Sequence, residues 1–372
     1  MNLRIGIVGL PNAGKSTLFN ALLKKQVADV APYPFCTIEP NVGVVPVPDE
    51  RLERLADIVA ETEGDPSTSL RMNRPPVVPA VVQFVDIAGL VKGASEGQGL
   101  GNKFLSHIRE VDLICHVLRY FPDPSVVHVA GDIDPERDKE IIETELILSD
   151  LQTLDKQVQP KGKPDKDAVK RWELIKQLKD GMNNGKLAKD VITNPEDQEV
   201  LRDLHLLTFK PILYVANVSE GQLTNPTNTT NPTNEIINAE KMLKICAKTE
   251  MELVSLTTDE QKAYLKELGL SASGLDRLIQ KAYELLGLIS FLTCGVIEVR
   301  AWTIRQGMKA PEAAGVIHTD FEKKFIRADV ISFENFVTIE GWKKGREEGK
   351  VRSEGKEYVM DDGDVVEFKI GT

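Results

Sequence analysis

At 372 residues with a formal net charge of −11, the chain is long enough for two or three domains and too acidic for a general nucleic-acid binder. No DNA partner is expected, and any RNA contact would have to use a local patch. No apolar run approaches the ~20 residues that span a membrane, and a strand that starts almost at Met1 leaves no room for a signal peptide. The four cysteines, Cys36, Cys115, Cys246 and Cys294, are scattered without a C-x-x-C pair. That pattern favours free thiols in a reducing cytoplasm over a disulfide or zinc framework.

Near the N-terminus, Gly9-Leu10-Pro11-Asn12-Ala13-Gly14-Lys15-Ser16 fits the phosphate-binding loop G-x-x-x-x-G-K-[ST]. The apolar run Leu3–Val8 predicts a buried strand before it, and the spacing of Ser16–Leu23 predicts a helix after it. Glycines let the backbone wrap the phosphates while the helix N-terminus faces the negative charge. Asn12, Ala13, Gly14, Lys15, Ser16 and Thr17 are the expected cradle. Lys15 would reach the β- and γ-phosphates, and the Ser16 hydroxyl would ligate Mg²⁺.

The proline-broken segment Pro32–Asn41 stands where nucleotide switches place their first loop, with Thr37 as a second Mg²⁺ ligand and γ-phosphate sensor. Cys36 beside it is either a reactive thiol that nucleotide protects or an inert one. Val42–Val47 predicts a strand. A further β-rich run, Val81–Val85, leads into Asp86-Ile87-Ala88-Gly89, a D-x-x-G. Asp86 would complete the metal shell, and the Gly89 amide would bond the γ-phosphate. Leu90 follows, where many GTPases carry a glutamine that orients the attacking water. Leucine cannot hydrogen-bond water, so turnover is slow or another group positions it.

The glycine-rich stretch Gly89–Gly101, followed by Phe104-Leu105 and His107-Ile108-Arg109, resembles the second switch of the Obg family of P-loop NTPases. With Asn12 and Phe35–Asn41 it resembles the YchF subfamily, the Obg-like ATPases, over nearly the whole chain. So many glycines suit a loop that orders on the γ-phosphate. Potassium-stimulated relatives in the wider superfamily place an ion-ligating asparagine at the position of Asn12. Here it either ligates K⁺ or shapes the loop.

Asp112–Leu118 predicts a central strand, in which His116 is either a substitute catalytic group or a packed histidine. Ile147, Leu151, Leu154 and Val158, then Val169, Trp172, Ile175 and Leu178, predict two helices joined at Pro160–Pro164 as an antiparallel hairpin. The resembled family has such an insertion. Lys156, Lys161, Lys163, Lys166, Lys170, Arg171, Lys176 and Lys179 form either a solvated face or an RNA-facing patch.

Lys210–Ala216 predicts a strand that delivers Asn217-Val218-Ser219-Glu220 to the base-reading position. Guanine-specific relatives read the base there with N-K-x-D. Val218 removes the lysine, and Glu220 is one methylene longer than aspartate. A site that no longer satisfies guanine discriminates against it strongly. ATP is therefore expected over GTP, with Asn217 or nearby backbone meeting adenine. The repeat at 224–234 is a low-complexity loop without chemistry. Glu252–Leu256 is expected as the last strand of this sheet, with Ser255 as the base-backing serine.

From about Phe291 the chain alternates as half-buried strands, at Gly295–Trp302 and Gly363–Phe368, around a helix-like Pro311–Ile317. This part resembles a TGS domain, a ubiquitin-like β-grasp module, in which Lys323, Lys324 and Arg327 could touch RNA. His318 has no partner at metal-ligand spacing and is expected to be structural.

The expected fold class is α/β, a P-loop NTPase domain with a mainly parallel sheet, an inserted helical coiled-coil hairpin and a C-terminal β-grasp TGS domain. The expected boundaries are 1–134 and 207–288 for the nucleotide domain, 135–206 for the insertion and 289–372 for the TGS domain. The expected activity is Mg²⁺-dependent hydrolysis of ATP, with a conformational output. By resemblance the partner is the ribosome or its RNA. A GTP-using Obg-type switch and a nucleotide-gated binding protein with negligible turnover are the alternatives.

Overall fold

The computed structural model describes residues 3–29, 41–62, 74–87, 100–122, 133–162, 165–223 and 242–371. Cys36, Thr37, Gly89, Leu90, Lys163, most of the glycine-rich stretch and the repeat at 224–234 lie outside the described residues.

The strands are β1 (Arg4–Val8), β2 (Val42–Pro46), β3 (Val77–Val78), β4 (Val81–Asp86), β5 (Leu113–Arg119), β6 (Ile212–Asn217) and β7 (Leu243–Ile245), then β8 (Leu288–Cys294), β9 (Val299–Arg305), β10 (Phe325–Ser332), β11 (Arg352–Glu354) and β12 (Asp364–Ile370). The longer helices are α1 (Lys15–Asp29), α2 (Glu50–Thr62), α3 (Leu100–Glu110), α4 (Pro135–Asp155), α5 (Lys166–Asn183), α6 (Ala247–Leu253), α7 (Thr258–Glu267), α8 (Gly274–Leu285) and α9 (Ala310–Ile317). No helix among the described residues is long and apolar enough to cross a membrane.

One compact unit comprises Leu3–Val45 and Gln83–Leu278. Its sheet has the order β2-β4-β1-β5-β6-β7, and β1 lies parallel to both β4 and β5. β5, β6 and β7 continue in parallel. Every residue of β5 is buried, which is what a strand covered on both faces requires. The α4–α5 hairpin forms as its heptad spacing predicts, with Asp134 and Asp165 capping the two helices at Arg137 N and Ala168 N. The seam is shorter than expected. Ile147, Leu154, Ile175 and Leu178 are buried, but Val158 lies beyond the end of α4 and is 77% exposed. The hairpin shares its core with the sheet, since Leu146 and Leu178 pack in one cluster with Ile108 and Ile114. The buried Asp150 of α4 accepts from Leu207 N, Thr208 N and Thr208 Oγ1 at 2.8, 2.8 and 2.7 Å, just before β6. The insertion is therefore no separate body.

The second unit joins Pro46–Val82 to Ile279–Thr372. Its mixed sheet runs β11-β10-β12-β8-β9-β3, with α9 packed on it through the fully buried Ala310, Ala313 and Ala314. The expected strand Gly295–Trp302 starts late: β8 ends at Cys294, residues 295–298 connect the two strands, and β9 starts at Val299. The expected boundaries also change. Residues 46–82 belong here because β3 pairs with β9, Arg51 bridges Asp49 and Asp362, and Asp362 accepts from Ser290 N. The β3–β9 pairing and the Arg51–Asp362 bridge each span over 200 residues of chain, so no local pattern announces them. His318 caps the helix that starts at Thr319, accepting from Asp320 N through Nδ1 at 3.2 Å.

Candidate active site

β1 ends at Val8, and the chain turns through the phosphate loop into α1. Backbone φ is 155° at Gly9, 64° at Asn12 and 94° at Gly14. A Cβ on Gly9 would lie 2.4 Å from the Val117 carbonyl oxygen, and one on Gly14 would lie 2.1 Å from the Asn217 amide nitrogen. The glycines thus answer to the neighbouring strands as well as to the turn. The first amides of α1 lack helical partners, the arrangement that binds anions at a helix start.

Lys15 is only 8% exposed, and its Nζ donates to Leu10 O at 2.8 Å. Burial lowers the Lys15 pKa, opposed by the nearby Asp86. Burial raises that of Asp86, opposed in turn by Lys15. Asp86 closes β4, and its amide donates to Asn41 O at 3.0 Å, tying the end of the first-switch motif to this strand. Ser16 and Thr17 are exposed at the start of α1. Carboxylate and hydroxyl are hard oxygen donors, the kind that Mg²⁺ takes. Among the described residues no group of three His, Cys, Asp or Glu could hold a metal. An ion here would lean on substrate oxygens.

His116 lies opposite Val8 and Tyr214 in the sheet register. It is 1% exposed, its ring centroid is 5.8 Å from that of Tyr214, and its Nε2 has no hydrogen-bond partner among the described residues. Burial, with Lys139 and Lys15 adding to it, pushes its pKa down to about 3. The imidazole is enclosed and neutral.

At the base end, the Asn217 side chain donates to Ala13 O at 2.9 Å and accepts from Ala247 N at 3.0 Å. Both ends of the amide are thereby engaged by backbone on opposite sides. Asn217 is a brace between the phosphate loop and the turn after β7. Val218 is buried, and its amide donates to Ile245 O at 2.8 Å. Glu220 is exposed and accepts from the Tyr264 hydroxyl at 3.2 Å.

Ser255 is a correction. Glu252–Leu256 is not a strand: α6 ends at Leu253, and the Ser255 hydroxyl donates to Met251 O at 3.2 Å in the turn that follows. The strand beside β6 is β7, so the residues that emerge next to Asn217 are Cys246, Ala247 and Lys248. β7 has three residues, too few for a periodic signal. The small residue, alanine and lysine that follow it are the available clue. Tyr264 carries no sequence signal at all.

The lysine-rich hairpin face is partly neutralised. Lys170 pairs with Asp197 at 2.6 Å, Lys179 with Asp155 at 2.8 Å, and Arg171 binds both Asp203 oxygens at 2.7 and 2.8 Å. Lys176 instead lies over the Trp172 ring, 6.0 Å from its centroid.

Comparison with known proteins gives a coherent set. A family model described as "50S ribosome-binding GTPase" matches residues 4–156. The YchF-GTPase C-terminal model, described as a protein of unknown function, matches residues 288–371. The chain is 49% identical over 377 residues to a "Ribosome-binding ATPase YchF" of Bacillus subtilis, covering 99% of each chain. To the protein of that name in Escherichia coli O157:H7 it is 46% identical over 378 residues, again covering 99% of each. Among solved structures it resembles that of the Schizosaccharomyces pombe YchF GTPase, with a TM-score of 0.84 and 36% identity, covering 99% of this chain and 98% of that one.

Proposed function

The chain belongs to the YchF family, and from that premise we propose that it is a Mg²⁺-dependent P-loop ATPase that favours ATP over GTP and acts as a conformational switch on the ribosome. The observation that carries the phosphate chemistry is the buried Lys15 beside Asp86 at the carboxyl ends of β1 and β4. Lys15 leaves the Leu10 carbonyl for the β- and γ-phosphates, and the α1 amides take the remaining oxygens. Ser16, Asp86 and Thr37 would hold Mg²⁺, which would neutralise phosphate charge when bound. The Gly89 amide receives the γ-phosphate. Thr37 and Gly89 enter on their motifs and on the family.

For the base, the buried Val218 gives no cation stem to pack over guanine, and Glu220 stands where N-K-x-D has aspartate. These two departures favour ATP. The GTP-using reading is kept alive by the fission-yeast relative, which is named a GTPase, whereas the bacterial relatives are named ATPases. With Leu90 unable to orient water, basal turnover is slow. Neither is His116 placed to replace the glutamine, because it is enclosed in the strand. The ribosome is the partner named for the bacterial relatives, and the exposed Lys156, Lys161 and Lys166 of the α4–α5 hairpin are a surface for its RNA. A K⁺ ion at Asn12 would add positive charge near the phosphates.

Calorimetric titration with ATP and GTP tests the base preference, and a tighter GTP complex refutes it. Phosphate release with and without ribosomes separates a ribosome-linked ATPase from a binding protein without turnover.

A further inference from the structure

Gln222 follows the turn Asn217–Glu220 at the end of β6, and its side-chain amide is engaged at both ends. Its Oε1 accepts from Ser219 N at 2.8 Å and from the Ser219 hydroxyl at 2.9 Å, while its Nε2 donates to Tyr120 O at 3.3 Å. A backbone N–H can only donate and a carbonyl can only accept, so the partners themselves fix which way the amide faces. The contacts to Ser219 cap the short helix Glu220–Leu223, as a glutamine three residues after a serine does. A cap has no use for the contact to Tyr120.

That contact reaches out of the helix to the chain leaving β5. Tyr120 N already donates to Asn217 O at 2.9 Å, so Gln222 adds a second link between the exits of β5 and β6. The residue after Tyr120 borders the phosphate loop: a Cβ built on Gly14 would lie 3.9 Å from Phe121 Cε1. Asn217 ties the start of the turn to Ala13, and Val218 N donates to Ile245 O at 2.8 Å. Gln222 ties the far side of the same turn to Tyr120. A short turn pinned at both ends has little freedom to shift against the phosphates.

We propose that Gln222 is a positioning residue of the base site, whose side-chain N–H donor keeps the turn Asn217–Glu220 in register with the phosphate loop. The proposal deepens the base-selection reading above and rests on it. Gln222 acts through the turn, so it bears on the affinity for any ligand that carries a base and leaves the phosphates to the loop. One half-buried neutral hydrogen bond suits a modest effect, about three- to ten-fold in affinity.

The test uses the full-length protein as wild type, Gln222→Ala and Gln222→Glu. Glutamate keeps the acceptor for Ser219 and caps as well as glutamine, but it turns an oxygen toward the Tyr120 carbonyl. Calorimetric titration with ATP and with inorganic tripolyphosphate, both with Mg²⁺, is paired with KM and kcat from phosphate release. Both variants are expected to weaken ATP binding about three- to ten-fold and to raise KM alike. Their kcat and tripolyphosphate affinity should change less than about two-fold, the pattern of lost uniform binding. A Gln222→Glu protein that binds ATP like wild type shows that the cap suffices, and overturns the proposal. Equal losses for ATP and tripolyphosphate reveal a site loosened as a whole, and overturn it too. The underlying reading is checked with Val218→Lys combined with Glu220→Asp. If that pair shifts the ratio of ATP to GTP affinity while the Gln222 variants bind ATP normally, the proposal falls and the reading stands. If neither the pair nor the Gln222 variants alter any nucleotide affinity, both fall.

Discussion

Asn217 donates its side-chain amide to the carbonyl oxygen of Ala13 at 2.9 Å, so the end of β6 and the phosphate loop are held by one bond. Ala247 N binds the other end of the same amide at 3.0 Å, and Gly14 has no room for a Cβ against it. The end of β6, the turn after β7 and the phosphate loop are thus mechanically continuous.

This brace predicts a distinctive phenotype. Asn217→Ala should weaken ATP and GTP binding together, by about ten-fold or more, and lower stability by about 1–3 kcal/mol, since it leaves buried backbone groups unpaired. Titration with both nucleotides checks it. A change confined to one nucleotide would mean that Asn217 reads the base.

Lys15→Ala should abolish hydrolysis and greatly weaken triphosphate binding. The variant removes the cation that offsets the desolvation of Asp86 as well as the one that meets the phosphates. Normal turnover in a phosphate-release assay would overturn the site assignment.

His116 predicts an acid sensitivity of stability. Its folded pKa is depressed from 6.5 to about 3, so below pH 6.5 the unfolded chain binds a proton that the native state refuses. Stability is therefore unaffected by this group above pH 6.5 and falls as pH drops from there toward 3, by about 1.4 kcal/mol per unit. Urea unfolding at pH 7.5 and 5.5 should show wild type losing about 1.4 kcal/mol more than His116→Leu. Parallel losses in the two proteins would contradict the enclosed, neutral imidazole.

Asn12, with its φ of 64° at the rim of the loop, is the candidate ligand for a monovalent cation. Phosphate release should be faster in potassium than in sodium buffer, and Asn12→Ala should erase the difference. Equal wild-type rates in the two buffers would leave Asn12 as a loop-shaping residue.

Much of this architecture is legible in the chain itself. A buried strand, a glycine turn and a helix around Lys15 declare themselves over some 20 residues, because the determinants of a strand-to-helix turn are local. The α4–α5 hairpin is legible for the same reason: heptad spacing and aspartate caps act within a few turns. The likeness to the YchF family is likewise carried by contiguous motifs.

What only the tertiary structure decided involves partners far apart in sequence. The sequence could name Asn217 but not its role, because Ala13 and Ala247 come to it from other elements. Ser255 is expected at the end of a strand Glu252–Leu256 as the base-backing serine, but that stretch folds as a helix end and the turn after it, while the true neighbour of β6 is a strand of three residues. Residues 46–82 join the C-terminal unit through β3, Arg51 and Asp362, across gaps that hydrophobic periodicity does not span. Tyr264 reaches Glu220 in the same way, over 44 positions. Periodicity reports which face of an element is apolar. Which element covers that face, and which side chain meets a given carboxylate, is settled by packing alone.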